Sequence, residues 1–342
     1  MSRLHTWLFA LFLVLLSVSC EEKNRFMIDV KKEGIHVEIE RFDRSLDSLR
    51  RSPNLTADVQ KVRSHYGKNF FDNYTTRVVQ IGTPDSVWFN DQLLALLNDS
   101  MYRTVYDEVQ AIYVQDVVDT ITLELETAWA YLHHYFPEKP LPRVYAHISG
   151  FNQSIVRTED VISVSLDNYL GSDYAPYSQI AYNYQLNGMN PSNVSLDIVY
   201  GYIQSEFETG VMNNLLENII ERGKQMYLLK VLTGGEKTEA ELMGYTAEQG
   251  EWCKRNEGAM WQYLMDNRLL FNTSHLVISR FVNPAPWTTD FPRESPGQAV
   301  VWLGMRIVES YMNANKEVTL SELMQQHDAQ KILSESNYKP EE

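Results

Sequence analysis

Cysteine is nearly absent from this chain of 342 residues: only Cys20 and Cys253 occur. At most one internal disulfide is therefore available, and none if Cys20 is used otherwise. Histidine is scarce as well, with eight copies, and basic residues are outnumbered, 30 against 45 acidic ones. The resulting formal charge of -15 argues against nucleic acid and against electrostatic docking on anionic lipid, both of which favour basic surfaces. No CxxC, HExxH, P-loop or GxSxG pattern occurs. Internal repeats and low-complexity tracts are also missing. The fold has to rest on packing, and 20 tyrosines, 13 phenylalanines and seven tryptophans supply large apolar areas for it.

What is present begins at the N-terminus. Arg3 precedes an unbroken apolar run over 7–16, followed by Leu16-Ser17-Val18-Ser19-Cys20 and then Glu21-Glu22-Lys23. A positive start, a short apolar core and small residues before a cut site make a secretory signal peptide over 1–19. The run is too short to serve as a stable membrane span. A cysteine directly after the small residues resembles a bacterial lipoprotein box. Cys20 is then the lipidation site: its thiol takes diacylglycerol, acyl chains such as palmitate complete the anchor, and residues 20–27 form a short tether. Glu21-Glu22 is not the aspartate that retains some lipoproteins in the inner membrane. An outer-membrane location follows, with the periplasmic face preferred to the cell surface. Cys253 is left as a buried structural thiol.

From residue 28 to 342 the pattern predicts one large α+β domain, predominantly helical, with a small sheet near the middle of the chain. Alternating Ile35, Val37 and Ile39 predict a strand over 35–40, and 143–148 and 161–166 read as two more. Helices are expected at 45–49, 89–97, 102–109 and 117–135, the last ended by Pro137, Pro140 and Pro142. Further helices are expected at 197–210, 215–232, 247–268, 299–312 and 320–333. Gly234-Gly235 stops the second of these, and Thr238-x-x-Glu241 forms a capping box for the next start. The stretch 174–191 carries no charge, so it should pack against the body. The stretch 281–296 holds four prolines and should be a structured loop.

Candidate chemistry is sparse. His133 and His134 are adjacent on a helix and diverge, which makes them poor joint metal ligands. His147 ends a strand near a glycine turn. Glu206 and Glu208 form an acidic pair beside Ser205 and Thr209. No ligand set for zinc or calcium emerges, so no metal and no dissociable cofactor is expected.

Fragments in order along the chain resemble the gliding-motility lipoprotein family of the Bacteroidetes, called GldB. They are Ile39-Glu40-Arg41-Phe42-Asp43, Tyr66-Gly67 with Phe70-Phe71, Pro142-Arg143-Val144-Tyr145 and Ser149-Gly150-Phe151-Asn152. Leu166-Asp167-Asn168-Tyr169-Leu170-Gly171, Gly244-Tyr245-Thr246-Ala247-Glu248-Gln249, Trp252-Cys253 and Asn256-Glu257 follow. Ser295-Pro296-Gly297, Trp302-Leu303-Gly304 and Ser336-Asn337-Tyr338-Lys339-Pro340 close the series. The resemblance implies a non-catalytic, lipid-anchored envelope protein that supports gliding or a linked secretion apparatus through protein contacts. Its partners would be the membrane, through the lipid, and other envelope proteins.

A more distant resemblance is to zincin-type metalloproteases, and it leaves room for a degenerate zincin-like scaffold. Zincins place two histidines one helical turn apart, with a glutamate that activates metal-bound water. On that alignment Ser205, Thr209 and Arg222 stand at the ligand positions, and only Glu206 keeps the zincin residue. Metal-dependent proteolysis is disfavoured, and Glu206 with Arg222 is expected to form a structural ion pair instead. The alternative is a divergent hydrolase or peptidase in which His147, Glu206 and Glu208 converge.

Overall fold

The computed structural model describes residues 24–340. The segment expected to be a signal peptide, Cys20 and the first part of the expected tether lie outside the described residues. Most of the described chain is helical, around one small sheet of four strands.

The sheet is mixed. Strands β1 (Ile39–Arg41), β2 (Arg143–His147), β3 (Ile155–Arg157) and β4 (Val161–Ser165) lie in the order β1-β2-β4-β3. β1 and β4 run parallel to β2, while β3 returns antiparallel to β4. Every residue of β4 is buried, as are Val144 to His147 of β2. Both faces of these two strands are therefore covered. The strand expected over 35–40 is paired only at Ile39–Arg41, because its partner offers just Val144–Ala146 to it. The short β3 gave no periodic signal, being three residues long.

The connection from β1 to β2 contains six helices. They are α1 (Phe42–Leu49), α2 (Leu55–Tyr66), α3 (Lys68–Asn73), α4 (Phe89–Asn98), α5 (Ser100–Ile112) and α6 (Gln115–Tyr135). Phe42 organises the first of these. Its ring meets Tyr66, Phe70, Phe71 and Tyr74 edge-on, at centroid distances of 4.8 to 6.0 Å.

After the sheet, the uncharged stretch folds as a chain of short turns and leads into α7 (Val194–Glu206). α8 (Leu215–Leu232) follows, buried around nearly its whole circumference. Asn214 and Glu217 cap its start reciprocally, and Gly234 and Gly235, at φ of 68° and 70°, turn the chain away from its end. Thr238 and Glu241 form the expected capping box on α9 (Glu239–Leu242).

Three sequence expectations are corrected here. The helix at 247–268 is two, α10 (Ala247–Arg255) and α11 (Glu257–Asp266). They break at Asn256, whose side chain donates to the Trp252 carbonyl at 2.7 Å and so competes with the helical ladder. A further helix, α12 (His275–Val282), runs into the start of the proline-rich stretch. α13 (Ala299–Ala314) is as expected, but 320–333 divides into α14 (Leu320–Gln325) and α15 (Ala329–Glu335). Asp328 caps the second of these by accepting from Lys331 N.

No described helix is long and apolar enough to cross a membrane.

Candidate functional site around Arg222

α7 ends at Glu206, and the chain from Phe207 onward is not helical. Ser205 and Thr209 therefore do not share a helical turn, and the zincin register does not hold. Both side chains are exposed, as is Glu208. Ser205 Oγ donates back to the Tyr202 carbonyl at 3.0 Å.

The expected Glu206–Arg222 pair is also corrected. Glu206 Oε1 accepts from Arg157 Nη2 at 2.5 Å, because the end of α7 lies over β3, which carries Arg157. Lys139 bonds the Glu206 main-chain carbonyl. Arg222 sits midway along α8 and points to the far end of α12, where Nη1 donates to the Val282 carbonyl at 2.6 Å.

His147 is fully enclosed. Its Nδ1 lies 2.7 Å from Ser163 Oγ on the neighbouring strand, and its ring packs edge-on against Tyr74. Burial holds its pKa down at about 3, since a charged imidazolium has nothing to compensate lost hydration. The structure thus gives His147, Glu206 and Glu208 three different surroundings: the core of the sheet, an ion pair with β3, and solvent. Cys253 is buried and free, and burial pushes its thiol up.

Arg222 borders two cavities. It lines a cavity of about 180 Å³ together with Met212, Asn213, Asn218, Thr273, His275, Ile278, Ser279, Val282 and Asn283. It also lines a second, of about 170 Å³, where Leu196, Met226, Leu229 and Val301 meet Asp197, Tyr200 and Glu241. The first is polar and has no carboxylate in its wall. Its two sides are tied together across the start of α8, where Leu215 N and Leu216 N donate to the carbonyls of Asn272 and Leu270 at 3.1 and 2.8 Å.

Asp197 stands out in the second cavity. The residue is partly buried, and its carboxylate accepts from Tyr169 Oη at 2.7 Å. Burial raises its pKa to about 6, against the opposing pull of that hydrogen bond. Sequence reasoning missed it. The available signal was a lone carboxylate inside the apolar run Val194 to Ile203.

The family model for the gliding motility protein GldB, a lipoprotein family by its designation, matches residues 23–340. The chain belongs to the GldB family. The match spans nearly the whole chain, and it carries a gliding-motility role at the level of the family. No curated protein and no solved structure matches. The GldB fragments named from the sequence fall on structural junctions. Arg41 and Asp43 form an ion pair at 2.7 Å where β1 meets α1. Asp167 accepts from the main-chain N–H groups of Ser149 and Phe151 at 3.0 and 2.7 Å, fixing the turn after β2.

Proposed function

We propose that this GldB-family protein is a non-catalytic, lipid-anchored envelope protein that works through protein contacts in a gliding or linked secretion apparatus. The lipid sits on Cys20, the attachment is to the outer membrane, and the body hangs on the periplasmic side. The leader-like run over 7–16, the small residues before Cys20 and the absence of aspartate after it support the anchor.

The contact role rests on the uncharged stretch 174–191. Tyr177 is fully buried; its hydroxyl donates to the Asp167 carbonyl and accepts from Leu170 N, at 2.7 and 2.8 Å. This holds the loop on the body. Ile180 and Tyr182 nevertheless stand 53% and 72% exposed, with Tyr182 stacked on Tyr184 at 5.8 Å. A fixed loop that presents aromatic and aliphatic surface to solvent suits recognition of another protein. In the proline-rich stretch, Phe281 is buried and Phe291 packs on Trp252, Tyr263 and Phe281, while Trp287 is 36% exposed.

Two measurements test the reading. A photoreactive side chain at Tyr182 should crosslink to envelope proteins in native membranes, whereas one at exposed Glu138 should not; equal patterns would overturn the contact role. Metabolic labelling with palmitate should be lost in Cys20→Ala, with release of the protein from the membrane fraction. Undiminished labelling would overturn the anchor.

A further inference from the structure

Arg222 is an exception among the arginines of this protein. Every other arginine that is buried or partly buried has a carboxylate within ion-pair distance. Arg41 has Asp43, Arg50 and Arg103 share Asp47, Arg63 has Asp72, Arg157 has Glu206 and Arg306 has Glu257. Arg222 makes no ion pair with any described residue; it has a single hydrogen bond, to a neutral carbonyl. In a chain with 45 acidic residues, a partly buried cation without a partner is costly and needs an explanation.

The nearest acids on its own helix are committed elsewhere. Glu217 accepts from Asn213 N, Asn214 N and Asn214 Nδ2 in the capping box. Glu221 accepts from Lys224 at 2.9 Å and lies 3.1 Å from His327 Nδ1. With Nη1 on Val282, no described residue accepts from Nε or Nη2 of Arg222. That edge of the guanidinium is the one that grips a carboxylate through two parallel N–H···O bonds.

We infer that Arg222 and the cavity of about 180 Å³ beside it form a binding site for a ligand carboxylate joined to an apolar body. Asn213, Thr273 and Ser279 supply neutral polar groups around the head, His275 adds an imidazole, and none of the lining residues is acidic. The single guanidinium balances one negative charge. A phosphate monoester carries up to two and is usually met by several cations. The lining also matches the apolar body: Met212, Ile278 and Val282 are part of the cavity wall. The carboxylate can come from a small organic acid or from the C-terminus of a polypeptide. The site stands independently of the lipid anchor and of the loop around Tyr182.

Calorimetric titration of the purified full-length protein tests this with two matched pairs of probes. The first is 4-phenylbutyrate and its neutral amide; the second is acetyl-Leu-Phe as free acid and as amide. The acids should bind saturably and the amides should not. Arg222→Lys should weaken acid binding roughly tenfold, because a point charge replaces the two-pronged contact. Ser279→Asp should abolish it by giving Arg222 an internal partner, and this variant leaves the arginine and its packing in place. The tighter of the two acids identifies the source, small acid or polypeptide end. Equal binding of acid and amide, no binding of either acid, or full acid binding in Ser279→Asp would overturn the inference. Inorganic phosphate binding more tightly than both acids would overturn the assignment to a carboxylate.

Discussion

Gly223 on α8 faces Gly304 on α13 so closely that neither position has room for a side chain. A Cβ at Gly223 would stand 2.8 Å from Met305 N and closer still to the Gly304 carbonyl; one at Gly304 would strike the Ile219 carbonyl. Backbone cannot yield as a side-chain tip can. Alanine at either position should therefore destabilise, despite its better helix propensity of about 1 kcal/mol. Overpacking of this kind costs about 1–3 kcal/mol, more where backbone must move. Chemical denaturation of Gly223→Ala and Gly304→Ala should show losses of that size. Gly201→Ala is the control. Its Cβ would meet only Ile155 side-chain atoms, the nearest at 3.0 Å, and a nearly neutral result is expected there. Loss at Gly201 equal to that at Gly223 would refute the account.

One residue further along α8, Lys224 is completely buried. Its ammonium bonds Glu221 at 2.9 Å and the main-chain carbonyl of Gln326 at 2.8 Å. The lysine thus pins the segment between α14 and α15 onto α8. Removing one member of a buried pair leaves the other charged and unsolvated, at a cost of about 3–5 kcal/mol. Lys224→Met should lose stability in that range, and hydrogen exchange should speed up first around Gln326 and Ile332. Replacing Glu221 and Lys224 together by leucine and methionine should recover much of the loss. A double variant no more stable than Lys224→Met would rule out the buried-charge explanation.

These two helices also show what could be read from the chain beforehand. The bounds of α8, its glycine stop and the capping box of α9 were legible, because all three are local chemistry written in consecutive residues. The two central strands were legible for the same reason, as strand-length segments rich in apolar residues, but their parallel pairing was not. The family, too, was carried by short fragments in order. The partner of Arg222 was not legible. Glu206 and Arg222 are 16 residues apart on successive helices, but α7 ends at Glu206, so its carboxylate falls to Arg157 on β3. Which acid reaches which base depends on how helices are laid over the sheet, and periodicity does not contain that information. The break at Asn256 was missed because its cause, a side-chain bond to Trp252, competes with a helix pattern that continues on both sides. Asp197 was passed over because it stood as the first residue of the helix expected at 197–210, where an acidic residue is ordinary.

His147 should stay neutral far below the usual range. Its pKa is held at about 3 by burial, against about 6.5 in the unfolded chain. Between those values the unfolded state binds a proton that the folded state refuses, so stability falls as pH is lowered. The full effect, reached near pH 3, is on the order of 4–5 kcal/mol. Nitrogen chemical shifts of the ring should show no titration between pH 8 and 4. A midpoint near 6.5 would mean that the ring is accessible, and would reopen His147 as a participant in chemistry.

Asp197 acts in the opposite direction. Its folded pKa, about 6, lies above the value of about 3.9 expected for an unfolded aspartate. Over that window the folded state holds the proton that the unfolded state has released. Its contribution to stability is therefore complete below about pH 4 and is lost as pH rises through 6. Above pH 7 the burial of the ionised carboxylate costs up to roughly 3 kcal/mol. Asp197→Asn keeps an oxygen to accept from Tyr169 and removes the charge. It should raise stability at pH 8 by a few kcal/mol at most, and change little at pH 4, where the folded Asp197 is already neutral and the unfolded one about half protonated. Denaturant unfolding of the two proteins across pH 4–8 measures the difference directly. A variant less stable than wild type at pH 8 would show that the ionised form of Asp197 is held by the fold, and would point to a charged ligand or partner for the cavity it lines with Arg222 and Tyr200.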